Sequence, residues 1–398
     1  MTSTTDSSHA ADASPGTSQW PLGGLLVLAG AAFVTILTEA LPAGVLPVMS
    51  TDLRVTEARA GLLVTVYALA AALTAIPVTA WTLVVPRRTL LVALLLGFAA
   101  TNAVTAVSTD FALTLIARIV SGVLAGLLWA MVPAYAARLH ERSGKAIATA
   151  LAGMTLGLSL GIPAGTALSG HIGWRWTFGL LTALALALAT AAVRRLPQLP
   201  GERVRRGGRL LSTIRTPGIA AINTASIATV LGFYVLYTYI APFVERAELD
   251  VSTGAVLFVF GLGSMGGVWI AGITADRRLR TATLGLLTLA TLCLASFGLF
   301  AHSAAAVLLG ALLWGGTHGG IPTLMQTAGV RAAPHDPDTA NSLWVTGWNI
   351  GMAGGSLLGG AVLTGAGTGA LPWTASALLA ASVLMAALTR RNGFPPAN

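Results

Sequence analysis

Twelve long apolar stretches follow one another along the chain, separated by short polar loops. Crossing a bilayer takes about 20 helical residues. The stretches are continuous rather than alternating, a pattern that favours helices over β-strands. We place them at residues 22–49, 59–82, 89–107, 112–136, 146–169, 174–193, 218–243, 254–274, 282–301, 304–326, 341–362 and 371–389. The sequence therefore predicts an all-α integral membrane protein with twelve transmembrane helices, the first of them bent by Pro42 and Pro47.

Composition agrees with a chain whose surface faces lipid. Hydrophobic residues make up 55% of the chain and charged residues only 9%, whereas a soluble domain carries about 25% charged residues. The net charge of +9 does not indicate a nucleic-acid partner, because the basic residues lie in short loops between apolar stretches. The single cysteine, Cys293, lies in an apolar stretch, and neither a metal site nor a cofactor is expected.

Lysine and arginine set the orientation. With the N-terminus inside, the inner loops hold eighteen of the 23 basic residues and the outer loops hold four. Cytoplasmic loops carry an excess of Lys and Arg, so both termini and the basic loop between the two apolar blocks are expected in the cytoplasm. The sequence thus predicts a multi-pass protein of the inner (plasma) membrane.

The chain also repeats itself. A glycine stripe of period four in the fifth stretch recurs in the eleventh, 194 residues later. Two related six-helix halves joined by a cytoplasmic linker are typical of transporters. We expect a disordered tail at 1–20, bundles at 21–193 and 218–390, a basic linker at 194–217 and a short tail at 391–398.

The two glycine stripes bring helix backbones close together, because residues four apart share one helix face. Plain helix packing and a sliding interface between the two halves are both compatible with them, and we expect the interface. The stripe residues are Gly153, Gly157, Gly161, Pro163 and Gly165, and Gly347, Gly351, Gly355 and Gly359.

Several motifs together resemble a known family. They are TEALPAGVLPVMSTDLRVTEARAGLLVTVYALA (38–70), ARIVSGVLAG (117–126), LGIPAGTALSGHIGWRWTF (160–178), YTYIAPFV (237–244) and NIGMAGGSLLGG (349–360). In this order they resemble the major facilitator superfamily, within it the bacterial drug and metabolite:proton antiporters that include chloramphenicol-resistance and sugar-efflux permeases. The resemblance covers 20–391 and implies two pseudo-symmetric six-helix bundles that transport by alternating access.

One loop departs from the family pattern. Between the second and third stretches the sequence is AWTLVVPRRTL (80–90), without the family's Gly and Asp-Arg signature, whereas AGITADRRLRTATL (271–284) keeps it. An acid at a helix end can pair with neighbouring arginines and hold an inner gate shut. The residues expected at that gate are Arg87, Arg88, Asp276, Arg277 and Arg278.

Two charged residues lie well inside predicted membrane segments. Glu39 is ten residues from Met49, and Arg118 is seven residues from Phe111, which gives depths of about 15 Å and about 10 Å at 1.5 Å per residue. Charges at such depth are costly and mark functional sites. We expect an ion pair that couples proton binding to transport, with a static pair that fixes helix packing as the alternative.

Aromatic residues fall in the segments that line the central cavity of the resembled family, and His318 could titrate near neutral pH. Together they predict a weakly charged cavity for an amphipathic or apolar molecule. The expected cavity residues are Phe33, Tyr67, Trp129, Tyr135, Phe233, Tyr237, Trp314, His318 and Trp348.

The predicted function is export of a small organic molecule in exchange for protons, by a monomer. Alternatives on the same scaffold are a sugar or nucleoside exporter and a proton-independent uniporter. No GxxxxGK[ST] motif for ATP occurs in the sequence, and no catalytic constellation at membrane depth points to an enzyme.

The charge bias yields a first prediction. A reporter enzyme inserted into the 194–217 linker should score as cytoplasmic, as should reporters at either terminus. The measurement is the activity ratio of a cytoplasmic and a periplasmic reporter fused at the same sites. A linker that scores as periplasmic would contradict the predicted topology.

Overall fold

The computed structural model describes residues 21–82, 84–141, 143–201, 218–248, 250–333 and 337–389. The predicted tails at 1–20 and 391–398 and most of the predicted linker, 202–217, lie outside these residues. Helices account for nearly all of the described chain, as the continuous apolar stretches predict.

Fourteen α-helices and one π-helical turn make up the fold of the described residues. We number the helices in chain order. They are α1 (Leu22–Gly44), α2 (Leu46–Asp52), α3 (Glu57–Thr82), α4 (Arg87–Val107), α5 (Phe111–Ala137), α6 (Ser143–Leu156), the π turn (Gly157–Gly161), α7 (Ile162–Ile172), α8 (Trp174–Arg195), α9 (Ile219–Tyr237), α10 (Ile240–Arg246), α11 (Thr253–Leu299), α12 (Ala304–Ala332), α13 (Pro337–Ala366) and α14 (Ala370–Leu388).

The predicted membrane segments are helices. Eleven spans in the described residues are long and apolar enough to cross a membrane, from Leu22–Gly44 to Ala370–Leu388. The remaining predicted segment, 341–362, lies in the 30-residue helix α13, whose many glycines lower its mean hydropathy. We call α1–α8 the N-terminal half and α9–α14 the C-terminal half.

Both halves begin with a broken helix. Helix α1 contains Pro42 and ends at Gly44, and α2 begins at Leu46. In the second half α9 ends at Tyr237 and α10 begins at Ile240. The first residues of α2 and α10 are therefore 194 positions apart in the sequence, which is also the offset of the glycine stripes. The bend expected from the two prolines is confirmed, and the internal repeat is visible in the backbone.

Local sequence signals mark where several of these helices begin. The Asp110 side chain accepts a hydrogen bond from the Leu113 backbone N–H at 2.8 Å and caps α5, and Ser252 and Ser303 cap α11 and α12 in the same way.

The eighth and ninth predicted segments form one run, α11, interrupted only by the non-helical backbone of Arg278. This break lies in the basic loop that the sequence predicts.

The glycine stripes pack inside the halves rather than between them. A methyl group at Gly157 or Gly161 would collide with α1 side chains, and one at Gly153 with the α1 backbone. The second stripe meets α9 in the same manner, with Gly355 against the Leu231 carbonyl. The expectation that these stripes form the interface between halves is therefore wrong, although Pro163 does contact Gly254 of the other half.

Helices α11 and α12 of the C-terminal half approach each other closely, and this contact relies on four other glycines. A methyl group at Gly263 or Gly267 of α11 would overlap carbonyl oxygens of α12. Conversely, Gly315 and Gly319 of α12 face the carbonyls of Phe260 and Ser264. Small residues allow this approach of two backbones, which supplies van der Waals contact where lipid provides no hydrophobic driving force.

The two halves meet along two helix pairs. Helix α3 contacts α13, and α11 contacts α7 and the π turn, where Gly261 faces the backbone of Ser159. Helix α3 begins, and α13 ends, at the end of the bundle where Arg246 reaches Glu57. We call this end the opposite face, and we call the end where Arg88 contacts Leu196 the linker face.

The glycine packing yields a second prediction. Gly315→Ala should lower the unfolding midpoint in detergent and cost more than about 2 kcal/mol, because its methyl overlaps the Phe260 backbone, which cannot shift cheaply. The matched control is Gly266→Ala on α11, where nothing lies within 4 Å and where alanine should be neutral or stabilise by up to about 1 kcal/mol. Equal effects of the two substitutions would refute this account.

Candidate functional site

Glu39 lies in the first membrane helix, three residues before the proline that disrupts it. It is only 7% exposed, and Arg118 of α5 is only 1% exposed. Proline lacks the N–H that normally donates to the carbonyl four residues earlier. Pro42 therefore leaves the Thr38 carbonyl without its usual helical donor, beside the Glu39 carboxyl.

Arg118 supplies that missing donor. Its Nη1 donates to the Thr38 carbonyl, its Nη2 donates to the Glu39 carbonyl at 3.1 Å, and its Nε donates to the Leu63 carbonyl of α3 at 3.1 Å. The guanidinium also lies 4.4 Å from the centre of the Tyr67 ring, a cation–π distance. One side chain thus joins α1, α3 and α5.

The expected ion pair between the two side chains is not formed. Arg118 directs its hydrogen bonds to backbone carbonyls, whereas the Glu39 carboxyl lies near the Trp129 indole and the Tyr67 hydroxyl. The sequence correctly predicted that Glu39 and Arg118 lie close together, but it did not predict the groups that each side chain contacts. The physical reason is Pro42, because it frees the Thr38 carbonyl, which competes with the Glu39 carboxyl for the guanidinium.

A buried polar network surrounds this arginine within the N-terminal half. Asn102 of α4 donates to the Thr38 hydroxyl at 3.0 Å, and Ser121 of α5 donates to the Thr101 hydroxyl at 2.8 Å. All four residues are buried. Buried polar groups of this kind hold helices in fixed register when each finds a partner, so the surroundings of Glu39 are rigid on the N-terminal side.

Aromatic side chains of the C-terminal half face Glu39. Tyr234 and Tyr237 of α9 lie near enough to interact electrostatically with its carboxyl. Phe233, on the same helix, is the centre of a ring cluster. Its neighbours include Tyr237 at 5.0 Å, Trp314 at 4.9 Å and His318 at 4.0 Å between ring centroids. The site is therefore polar on one side and aromatic on the other.

His318 belongs to this cluster through its ring faces. It stacks on Phe233 with an interplanar angle of 13° and lies 5.9 Å from Trp348. No carboxylate of the described residues forms an ion pair with it. The arrangement favours His318 as part of an aromatic wall.

The structure sorts the nine predicted cavity residues. Five of them form the cluster, namely Phe233, Tyr237, Trp314, His318 and Trp348. Tyr67 and Trp129 lie beside Glu39, and Phe33 of α1 packs against Gly161.

The prediction for Tyr135 is wrong. Its hydroxyl donates to the Pro197 carbonyl at 2.6 Å, at the linker face, because it lies nearly five helical turns beyond Arg118 along α5.

Three aromatic residues of the cluster were not predicted. Tyr234 lies within the run GFYVLY of α9 and contacts both Phe233 and Tyr237, at 5.1 Å and 5.7 Å. Phe260 of α11 lies 5.1 Å from Trp314, and Trp344 of α13 lies 5.2 Å from Trp348. Helical spacing gave a usable signal, because 344 and 348 share one face of a helix.

The opposite face is closed by contacts between the halves. Arg246 of α10 forms an ion pair with Glu57 of α3 at 2.8 Å. Burial, and then the charge of Glu57, raises the pKa of the neighbouring Glu245 carboxyl, while Arg246 lowers it. Deeper in the bundle, the Ser356 hydroxyl donates to the Gly61 carbonyl at 2.9 Å, across the halves.

The Ser356 contact is supported from its own half. The Tyr239 hydroxyl donates to the Ser356 carbonyl at 2.9 Å and lies so close to Gly61 that a methyl group there would overlap it. Below the exposed ion pair, the seal thus rests on buried hydrogen bonds and close packing.

The predicted inner gate lies at the linker face. The Arg87 backbone N–H donates to the Leu199 carbonyl at 2.9 Å, and Arg88 donates to the Val193 and Leu196 carbonyls. These bonds hold the start of the linker against α4. Arg278 is exposed at the break in α11. The side chains of Asp276 and Arg277 lie outside the described residues, so the gate stays a prediction.

The Arg118 geometry yields a third prediction. Arg118→Met should destabilise the protein by about 3 kcal/mol, because three buried carbonyls lose a charged donor. In a Pro42→Ala background the new N–H can bond the Thr38 carbonyl, so the same substitution should cost about 1 kcal/mol less. The measurement is a double-mutant cycle of unfolding in detergent.

The control for this cycle is Arg194→Met, at the exposed end of α8, which should change stability by less than about 0.5 kcal/mol. Strict additivity of the Arg118 and Pro42 substitutions would show that the freed carbonyl does not matter.

Comparison with known proteins agrees with this architecture. Residues 28–337 match the Major Facilitator Superfamily. The chain is 33% identical over 351 residues to a chloramphenicol efflux pump of Mycobacterium tuberculosis, covering 84% of each protein. It is 28% identical over 372 residues to a "Probable sugar efflux transporter" of Mannheimia succiniciproducens, covering 90% of this chain and 92% of that protein.

Solved structures show the same fold. A bacterial homolog of the human lysosomal transporter Spinster, described as inward-facing and occupied, aligns with a TM-score of 0.75 at 14% identity, over 92% of this chain and 96% of that one. Its unoccupied form aligns with a TM-score of 0.71 over 94% and 96% of the two chains. The chain belongs to the Major Facilitator Superfamily, a family of membrane transporters.

Proposed function

We propose that this transporter exports a small, largely uncharged aromatic molecule across the plasma membrane in exchange for protons. The observation that carries the proposal is that the Glu39 carboxyl forms no ion pair with Arg118. It is buried where the halves meet, and the guanidinium beside it is bonded to backbone carbonyls instead. A carboxyl placed in this way can gain or lose a proton without breaking a salt bridge.

Proton exchange requires a group that is reached from one side at a time. The contacts at the opposite face support this, because Arg246–Glu57 and Ser356–Gly61 separate Glu39 from that side. Parting these contacts and closing the linker face would expose the same carboxyl to the other compartment. Alternating access of this kind moves one half against the other around a fixed site.

Substrate and proton are coupled if both are bound by the same groups. Trp129 and Tyr67 lie near the Glu39 carboxyl and can contact a ligand, while Tyr234 and Tyr237 approach from the other half. A ligand that enters between the halves and donates a hydrogen bond to the ionised carboxyl competes with the proton and lowers the proton affinity of the carboxyl. The proton must then change the ligand affinity by the same factor.

The ligand class follows from the chemistry of the two walls. The cluster around Phe233 offers ring faces together with hydrogen-bonding groups such as the Tyr237 hydroxyl and the Trp314 indole, which suits an aromatic compound with polar substituents. The relative named as a chloramphenicol efflux pump is named for a compound of this class. A sugar is the second candidate, because another relative is named a sugar efflux transporter and because aromatic faces also stack on sugar rings.

This function yields a fourth prediction. Glu39→Gln should insert and fold normally but lose uphill export, because glutamine cannot carry a proton between compartments. It should keep downhill exchange of substrate, which needs no proton. The measurement is chloramphenicol flux in proteoliposomes with and without an imposed proton gradient. Glu248→Gln, which removes an exposed carboxyl outside the site, is the control and should pump like the parent.

Full uphill transport by Glu39→Gln, with unchanged pH dependence, would remove Glu39 from the coupling mechanism. Chloramphenicol transport by the parent that is indifferent to the proton gradient would instead support the uniporter.

A further inference from the structure

A long groove opens on the side of the bundle where the two halves meet. It has a volume of about 800 Å³ and lies between the beginning of α3 and the last turns of α13. We call it the interhalf groove. It is lined by Thr56, Ala58, Arg59, Leu62, Gly354, Leu357, Leu358, Gly360, Ala361, Thr364 and Gly365. Both halves contribute, so the groove exists only while α3 and α13 are together at the opposite face.

The groove is long enough to hold part of one acyl chain. Along α13 it extends from Gly354 to Gly365, about 17 Å at 1.5 Å per residue. Half of a hydrocarbon core of about 30 Å is about 15 Å. The exposed side chains of Leu357 and Leu358 flank it, and glycines form part of its floor. An extended apolar chain from the leaflet on the opposite face fits this shape.

The backbone of Arg59 lies about midway along the groove, because Gly360 of α13 lies against Ala58 and Ser356 lies against Gly61. Arg59 is exposed, and its guanidinium lies 5.4 Å from the centre of the Phe111 ring. Nearby acids already have partners, since Glu57 pairs with Arg246 and Asp52 pairs with Arg175. Arg59 forms no ion pair within the described residues and is free to meet an anion.

We propose that the interhalf groove binds an anionic phospholipid, with one acyl chain along α13 and the phosphate at Arg59. The apolar length of the groove and the single positive charge of Arg59 together favour a phospholipid over a wholly apolar molecule. Because the lipid contacts both halves, it binds the state that is closed at the opposite face more tightly than any state in which α3 and α13 part. Binding therefore stabilises that closed state by the difference in affinity.

The test uses the purified full chain in detergent and native mass spectrometry, which counts bound lipids and the number of protein copies. The probes are phosphatidylglycerol, phosphatidylcholine with the same acyl chains, and the deacylated headgroup glycerophosphoglycerol. Phosphatidylglycerol should bind most tightly, and the deacylated headgroup should not bind measurably. Arg59→Gln should weaken phosphatidylglycerol binding about fivefold, which corresponds to about 1 kcal/mol for one arginine near an anionic lipid.

A second variant tests the apolar part of the site. Gly365→Leu places a side chain in the groove, where nothing lies within 4 Å of the new Cβ, and should displace both phospholipids. The controls are Arg54→Gln, an exposed arginine outside the groove, and Gly170→Leu, which also meets nothing within 4 Å. Both should bind phosphatidylglycerol like the parent. Unfolding midpoints confirm that each variant is folded.

Three results would overturn the proposal. The first is phosphatidylglycerol binding that survives both Arg59→Gln and Gly365→Leu in folded protein. The second is an equal loss with Arg54→Gln, which would indicate general attraction to basic loops. The third is a dimer that Gly365→Leu dissociates, which would make the groove a contact between two copies of the chain.

Discussion

The guanidinium of Arg118 joins three helices of the N-terminal half, and the geometry around Glu39 depends on it. Pro42 breaks α1 and leaves the Thr38 carbonyl without its helical donor, inside a bundle where water is scarce. Arg118 bonds that carbonyl, the Glu39 carbonyl and the Leu63 carbonyl of α3. Unsatisfied buried carbonyls cost about 1–3 kcal/mol each, so the arginine is fixed on the backbone. The Glu39 carboxyl is thereby left to the indole and hydroxyl groups near it and, in our proposal, to a proton.

The two halves share one architecture but differ in chemistry. Their first helices break at positions 194 residues apart, and their glycine stripes pack on those helices in the same way. Yet the N-terminal half surrounds Glu39 with buried polar contacts such as Asn102–Thr38, whereas the C-terminal half presents the rings around Phe233. In the proposed cycle the N-terminal half handles the proton and the C-terminal half supplies most of the ligand surface. The phospholipid inferred at Arg59 would act elsewhere, on the contact between α3 and α13.

Much of the fold could be predicted from the sequence, because a bilayer imposes long apolar helices and leaves charge to the loops. The helices, the bend in α1 and the repeat all followed from that constraint. The partner of Arg118 did not follow, because it depends on which carbonyl Pro42 frees and on which helices are adjacent. Tyr135 was misplaced because aromatic character alone does not give depth along α5. The glycines of α11 and α12, such as Gly263 and Gly315, have the spacing of the predicted stripes, but a stripe does not name the helix it meets. That choice belongs to tertiary packing.

The central claim is that ligand and proton compete through Glu39. The most direct measurement is proton release when chloramphenicol binds to the purified protein in weakly buffered detergent solution, followed with a pH indicator over about pH 5 to 9. The account predicts release of up to one proton per ligand bound, with a maximum at one pH, and none for Glu39→Gln even where that variant still binds. Equal release by the parent and by Glu39→Gln would contradict it.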